Sequence, residues 1–215
     1  MYIDVFLNFI KTERRLSPHT IKSYSSDLKQ FSKFLSKVCN INSDINQVTF
    51  QTIRSWVVCL LENNINPRSV NRKISVLKSY YKFLLQEGIL SYNPMIKIIS
   101  PKTSKRLPSF VDKDDIQNLL DKVQFENNYT GSRDKLIIEF FYVTGVRLSE
   151  LINIKISDID FNNNYIKVLG KRNKERLIPL SESMINKLEN HINKNKITKY
   201  LFTNKGNKMY SKLVY

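Results

Sequence analysis

Apolar residues recur every three or four positions through the first ninety residues, with polar residues between them. That period gathers them on one face of an α-helix. Val5, Phe6, Phe9 and Ile10 predict a short amphipathic helix. Ser17-Pro18 supplies an N-cap and a first-turn proline for a second helix, whose apolar face is Ile21, Tyr24, Leu28, Phe31 and Leu35. A third covers residues 49–62, with Ile53, Trp56, Val57 and Leu60 on one face. Asn66-Pro67 opens a fourth, which ends at Gly88, a residue suited to the left-handed turn after a helix. Four short helices with no strand signal predict a small helical bundle over residues 1–100.

Residues 89–109 break this pattern. Pro94, Pro101 and Pro108 interrupt it, and Ser100-Pro101-Lys102-Thr103-Ser104-Lys105-Arg106 is polar and basic. Residues 101–109 are therefore expected to link two domains, with the boundary near residues 102–106. Beyond the linker, Asp112 is placed as the cap of a helix through Val123, and Ser132 as the start of another bearing Leu136, Ile137, Phe140 and Phe141. Strand-like runs follow at 156–161, 165–169 and 176–180, with turns at 162–164 and 171–174. Ser181 caps a last full helix with Ile185 and Leu188, and residues 209–215 read as the start of one more. The expected fold class is mainly α: a four-helix domain, then an α-rich domain over 110–215 with a small three-stranded antiparallel sheet.

The chain has 215 residues and a net charge of +16. Residues 1–100 hold 14 Lys/Arg against 6 Asp/Glu and residues 101–215 hold 21 against 13, so each half is +8. Even loading of two folded halves points to a long polyanion lying along both, which means nucleic acid. The competing account is the Lys, Asn and Ile bias of an AT-rich genome. Cys39 and Cys59 have no motif spacing, no apolar run is long enough to span a bilayer, and Met1-Tyr2-Ile3-Asp4 lacks a basic leader. These features predict a cytoplasmic protein with no membrane partner.

Chemistry-bearing residues are sparse. His19 falls in a first helical turn and His191 on a polar stretch of the last helix, neither with a partner at metal-ligand spacing. Asp158 and Asp160 are expected to face solvent. With five glycines and no phosphate-binding glycine loop, neither nucleotide nor metal is expected, and no cofactor is assigned. On the fourth helix, Arg68, Arg72, Lys78 and Lys82 gather opposite the apolar face of Val70, Ile74, Leu77, Tyr81 and Leu84. Such a stripe suits a helix laid on a phosphate backbone, although a lone basic stripe is more often a solvated face.

Two short segments say most. Thr144-Gly145-Val146-Arg147-Leu148-Ser149-Glu150-Leu151 puts an arginine just after a glycine break between apolar stretches. Leu169-Gly170-Lys171-Arg172-Asn173-Lys174-Glu175-Arg176 puts a lysine in a basic turn between two strands, 24 residues on. A planar cation and a point cation on short rigid elements suit a phosphate in which negative charge develops. Read singly, Arg147 could simply pair with Glu150, and Lys171 could simply be solvated.

Together these segments resemble the tyrosine recombinases of the phage-integrase family, of the XerC/XerD kind. Ser17-Pro18-His19-Thr20-Ile21-Lys22-Ser23-Tyr24 and Ser69-Val70-Asn71-Arg72-Lys73-Ile74-Ser75 resemble the SAM-like core-binding domain of the same family, whose helices grip one face of DNA. The resemblance implies that Arg147 is the arginine on the scissile phosphate and that Lys171 protonates the leaving 5′ oxygen. It implies a supporting role for Glu150, with Arg172, Lys174 and Arg176 as DNA backbone contacts or surface charge. It further implies double-stranded DNA as partner, a 3′-phosphotyrosine intermediate, a Holliday junction, and a homo- or hetero-tetramer with a paired recombinase. Because the chain begins directly with the core-binding segment, chromosome dimer resolution is expected ahead of mobile-element integration.

One departure stands out. No His-x-x-Arg follows Lys171, and Tyr210 and Tyr215 stand only 63 and 68 residues beyond Arg147, too early for the family's nucleophile. The expectation is a truncated product or partial sequence that is inactive alone. Its rival is a natural truncation that occupies DNA without cutting. A basic helical RNA-binding module is a third reading, without the aromatic signature of that class.

Overall fold

A computed structural model describes residues 2–41, 45–104, 111–170, 174–204, 206–211 and 214, apart from the side chain of Lys113. The chain divides into two compact units, Met1–Leu107 and Pro108–Tyr215.

The first unit is helical: α1 Ile3–Thr12, α2 Pro18–Val38, a 3-10 turn at Ile45–Gln47, α3 Phe50–Glu62 and α4 Pro67–Gln86. Local chemistry sets the helix starts. Ser17 Oγ accepts from the Thr20 amide at 3.3 Å, and Asn66 Oδ1 from the Arg68 amide at 2.9 Å, each followed by proline in the first turn. Thr49 and Thr52 satisfy each other's amides at 3.3 and 3.4 Å. Gly88 follows α4 with φ of 69°, a left-handed turn residue.

Helix α4 buries more than its predicted stripe. Val76, Tyr80 and Phe83 are as enclosed as Val70, Ile74, Leu77, Tyr81 and Leu84. The reason is that α4 has neighbours on several sides. Phe6 and Phe9 of α1 meet Phe83 at 5.4 and 4.9 Å between ring centres, and Phe31 of α2 meets Trp56 of α3 at 4.9 Å. Leu90, Met95 and Ile98 continue the same core past α4, in the region where the sequence shows only broken periodicity. Inside lies one charged cluster. Asp27 accepts Lys73 Nζ at 2.8 Å and is ion-paired with Arg72, and Lys73 also donates to Gln30 Oε1 at 2.6 Å.

The second unit contains α5 Lys113–Lys122, α6 Tyr129–Thr144, α7 Leu148–Leu151, a 3-10 turn at Ile156–Asp158, β1 Ile159–Asp160, β2 Tyr165–Leu169, β3 Glu175–Pro179, α8 Glu182–Asn195, β4 Thr203–Asn204 and β5 Asn207–Lys208. Strands β1, β2 and β3 form an antiparallel sheet in that order, with Ile166 opposite both Ile159 and Ile178. Ile166 and Val168 point inward and Lys167 and Leu169 outward, the alternation expected of a half-buried strand. Around them pack Leu136, Ile137 and Phe140 of α6, Leu151 of α7, and Met184, Ile185 and Leu188 of α8. The fold is mainly helical with a small antiparallel sheet.

Several sequence expectations are corrected. Helix α6 begins at Tyr129, not Ser132, because Asn128 Oδ1 caps the Gly131 amide at 2.9 Å. Gly131 suits that turn, since a Cβ there would come 2.1 Å from the Glu126 carbonyl oxygen. Asp112 occupies the N-cap position of α5 without a side-chain capping bond. The run at 156–161 is mostly a 3-10 turn, held where Asp158 Oδ2 accepts the Lys155 amide at 2.8 Å, and only Ile159–Asp160 pairs as strand. The small hairpin β4–β5 was not legible, and Met209–Ser211, where a further helix was expected, contain no α-helix. His191 is buried rather than on a polar surface, stacked on Tyr129 at 5.9 Å and against Phe202 at 5.9 Å. Among the described residues no helix is long and apolar enough to cross a membrane.

Candidate functional site

Helix α6 stops at Thr144 because Gly145 turns left-handed, with φ of 58°, and its amide closes on the Phe141 carbonyl at 2.9 Å. Val146 is buried, and Arg147 is left extended as the N-cap of the four-residue helix α7. Glu150 closes that cap: its Oε2 accepts the Arg147 amide at 2.8 Å, and its Oε1 accepts Arg147 Nη1 at 2.7 Å. Arg176 arrives from β3 and donates from Nη2 to Glu150 Oε2 at 2.8 Å.

Exposure separates the roles of these three side chains. Glu150 is 3% exposed, Arg147 60% and Arg176 41%. Burial by itself would raise the Glu150 carboxyl, but the Arg147 amide and guanidinium and the Arg176 charge outweigh it and hold the carboxyl below its ordinary range. One buried carboxylate thus orients two guanidiniums whose outer faces meet solvent, and the cluster carries a surplus of one positive charge.

Gly170 brings the β2–β3 hairpin to the same place. Its amide bonds the Lys174 carbonyl at 2.8 Å, and a Cβ on it would lie 3.5 Å from Glu150 Oε1 and 3.8 Å from Arg147 Nη1. The residue that precedes Lys171 therefore lies beside the Arg147–Glu150 pair. Lys171 and Arg172 themselves lie outside the described residues, as does Tyr215; Lys174 is described and exposed. Beside Glu150 opens a cleft of about 420 Å³ lined in part by Ser149, Lys155, Lys167, Glu175 and Tyr200. The preoriented Arg147 guanidinium, whose carboxylate partner is shared with Arg176, can hold a non-bridging oxygen of a phosphodiester.

The sequence reading of Arg176 as a DNA backbone contact or surface charge does not include its bond to Glu150. A signal for it existed. Arg176 stands two residues before the half-buried Ile178 and so shares its side of β3, which marks it as a candidate for a partner on the core side without saying which.

The other predicted residues are placed as follows. Arg68, Lys78 and Lys82 are exposed on α4. Arg72 is half-exposed, with Nη1 on Ser23 Oγ at 2.6 Å beside its ion pair to Asp27, so part of its guanidinium is spent inside the protein. Asp160 Oδ1 accepts the amides of Asn162 and Asn163 at 3.1 and 2.9 Å, and so shapes the turn after β1. Among the described residues no group of three His, Cys, Asp or Glu could hold a metal ion.

Comparison with known proteins covers both units. Residues 3–88 match the family described as phage integrase, N-terminal SAM-like domain, and residues 109–215 match the phage integrase family. The chain is 39% identical over 189 residues to the tyrosine recombinase XerC of Staphylococcus epidermidis (strain RP62A), covering 88% of this chain and 62% of that protein. It is 39% identical over 208 residues to the tyrosine recombinase XerD of Rickettsia bellii, covering 91% of this chain and 67% of that protein. The crystal structure of a lambda integrase (75–356) dimer bound to a COC′ core site superposes with a TM-score of 0.77 at 19% identity, covering 99% of this chain and 76% of that one. At that identity the likeness concerns the fold.

Proposed function

The chain belongs to the phage integrase family, among the tyrosine recombinases of the XerC/XerD kind, and from that premise we propose that it acts on double-stranded DNA as a XerC-type site-specific recombinase. It spans 62% of the length of the Staphylococcus XerC relative, so the whole-protein activity is part of this proposal. The observation that carries the reading is the Glu150 carboxylate, buried and bonded both to Arg147 and, from strand β3, to Arg176.

In this mechanism Arg147 holds the non-bridging oxygens of the scissile phosphate and stabilises the charge that grows on them during displacement. Lys171 gives its proton to the departing 5′ oxygen. A tyrosine outside residues 1–215 forms the new bond to phosphorus as the bond to the 5′ oxygen breaks, leaving a 3′-phosphotyrosine. The helical unit over residues 1–100 grips the duplex through Arg68, Arg72, Lys78 and Lys82, and Arg172 and Lys174 add backbone contacts near the cut. Recombination proceeds through a Holliday junction in a tetramer on paired sites. The role proposed for it is chromosome dimer resolution in the cytoplasm rather than integration of a mobile element.

The test is binding of a fluorescent duplex across a salt series. Several phosphate contacts give a log–log slope of roughly −4 or steeper, at about −0.9 per phosphate neutralised. Arg147→Ala should weaken binding and flatten the slope. Binding that ignores salt overturns the reading.

A further inference from the structure

We propose that Arg176 is a positioning residue, which acts through Glu150 to set how much positive charge Arg147 can offer a phosphate. The inference rests on the reading of Arg147 as a phosphate ligand. It starts from charge balance in the cluster. Glu150 and Arg147 alone would form a closed neutral pair, 2.7 Å apart, with the carboxylate drawing the guanidinium inward. Arg176, at 2.8 Å from the other carboxylate oxygen, supplies the second positive charge. The carboxylate is then neutralised from the sheet side, and the charge on Arg147, 60% exposed, faces outward uncancelled.

The bonding pattern allows this to be separated from a purely structural role. Glu150 Oε2 accepts both the Arg147 amide and Arg176, and Oε1 accepts the Arg147 guanidinium. Removing the Arg176 charge leaves both bonds between Glu150 and Arg147, so the cap of α7 survives. What changes is electrostatic: Arg147 becomes the carboxylate's single cationic partner in the triad. The hairpin adds a second consequence. Arg176, on β3, reaches the pair by its ion pair, and Gly170, at the end of β2, lies close enough that an added Cβ would be 3.5 Å from Glu150 Oε1. One carboxylate therefore registers helix α7 and the β2–β3 hairpin to each other, and Arg176 is the link from the strand side.

The test measures duplex DNA binding against salt for the full chain, with thermal melting of each variant. Arg147→Gln and Arg176→Gln should each flatten the log–log slope by about 0.9, one phosphate contact. The double substitution should flatten it no further than either alone. Arg176→Lys, which keeps a cation for Glu150, should restore most of the slope. So should Glu150→Gln combined with Arg176→Gln, because the carboxylate that captures Arg147 is then neutral. An unchanged slope in Arg176→Gln, while Arg147→Gln flattens it, overturns the inference and leaves the site reading intact. Additive losses in the double variant, or no recovery with Glu150→Gln, also overturn it, since Arg176 would then touch phosphate directly. No effect of Arg147→Gln defeats the underlying site reading instead. If Arg176→Gln does not fold, Arg176→Lys decides: it folds with a near-normal slope under this proposal, and a folded Arg176→Lys chain whose slope is flattened by a full phosphate contact overturns it.

Discussion

Arg176 Nη2 lies 2.8 Å from Glu150 Oε2, so the last strand of the sheet and the four-residue helix α7 share one buried carboxylate. A helix of one turn has little stability of its own. Here its N-terminus is capped by Glu150, its Leu151 enters the core with 0% exposure, and its carboxylate is tied to the sheet. Arg147 is thus fixed at the backbone by the cap and at the guanidinium by the same side chain. Preorganisation of this kind lets a cation meet a phosphate without first losing conformational freedom.

That bonding has a pH signature. The Glu150 carboxyl is held below its ordinary value of 4.5 in the folded chain, so the unfolded chain takes up that proton at higher pH. The resulting stabilisation is complete above about 4.5 and is lost as pH falls through the lower folded value. Glu150→Gln should lower stability at neutral pH by about 1–3 kcal/mol, the cost of a weakened buried hydrogen-bond network. It should also flatten the acid limb of melting temperature against pH. An equally steep acid limb in that variant would assign the effect to other carboxylates.

The cluster at Asp27 makes a different prediction for the first unit. Asp27 is 2% exposed, and Lys73, beside it, is also buried. Asp27→Ala leaves the Lys73 ammonium with Gln30 as its remaining hydrogen-bond partner in the cluster, so a loss of about 3–5 kcal/mol is expected in chemical denaturation. Arg72→Ala should cost much less, roughly 1 kcal/mol or under, because that side chain is 47% exposed and solvent screens its pair. Asp27→Leu combined with Lys73→Met should recover most of the loss. Equal effects of Asp27→Ala and Arg72→Ala would show that Lys73 is not the residue left stranded.

How legible was all this in the residues? The helix starts of the first unit were, because Ser17, Thr49 and Asn66 cap amides two or three positions away and need nothing distant. Strand β2 was legible for the same local reason, its inward Ile166 and Val168 alternating with Lys167 and Leu169. Arg147 and Glu150 sit three residues apart, so their pairing could be weighed from sequence. Arg176 could not be paired with Glu150, because that contact spans 26 residues and depends on the sheet register. His191 was hidden among the polar Glu189, Asn190, Asn193 and Lys194, although its spacing of three from Leu188 places it on the buried face of α8. The two-residue strands β4 and β5 are too short to carry any period.

His191 supplies a second acid-sensitive group. Burial is the main cause that lowers its pKa below 6.5, and the nearby Arg133 charge acts in the same direction. The folded chain therefore resists protonating it, and the unfolded chain does not. Stability of the second unit should decline as pH falls below about 6.5, until the folded value is reached. His191→Phe keeps an aromatic ring between Tyr129 and Phe202 and should remove this part of the pH dependence. A decline that survives in His191→Phe would place the responsible group elsewhere.

The last prediction concerns the nucleophile. A tyrosine that attacks phosphorus must reach the phosphate and lose its proton as it does so. Tyr80 and Tyr81 fail on both counts, since burial in the first core pushes the Tyr80 phenol up to about 12 and raises Tyr81 as well. Tyr200 is the tempting candidate, because it lines the same cleft as Glu150. Its position, however, is that of a fixed wall. The backbone on either side is bonded to the segment after α7, from Ile156 to Lys199 at 3.0 Å and from Leu201 to Ile154 at 2.9 Å. The Lys199 and Lys208 ammonium groups lie 5.6 and 5.2 Å from its ring centre. Tyr210 is exposed, but the resemblance implies a nucleophile further along the chain than its place 63 residues after Arg147. The 215-residue chain should therefore bind a nicked suicide duplex and trap no covalent adduct that survives denaturation. An adduct that forms, and then vanishes in Tyr200→Phe, Tyr210→Phe or Tyr215→Phe, would place the nucleophile inside this chain and redraw the site around that residue.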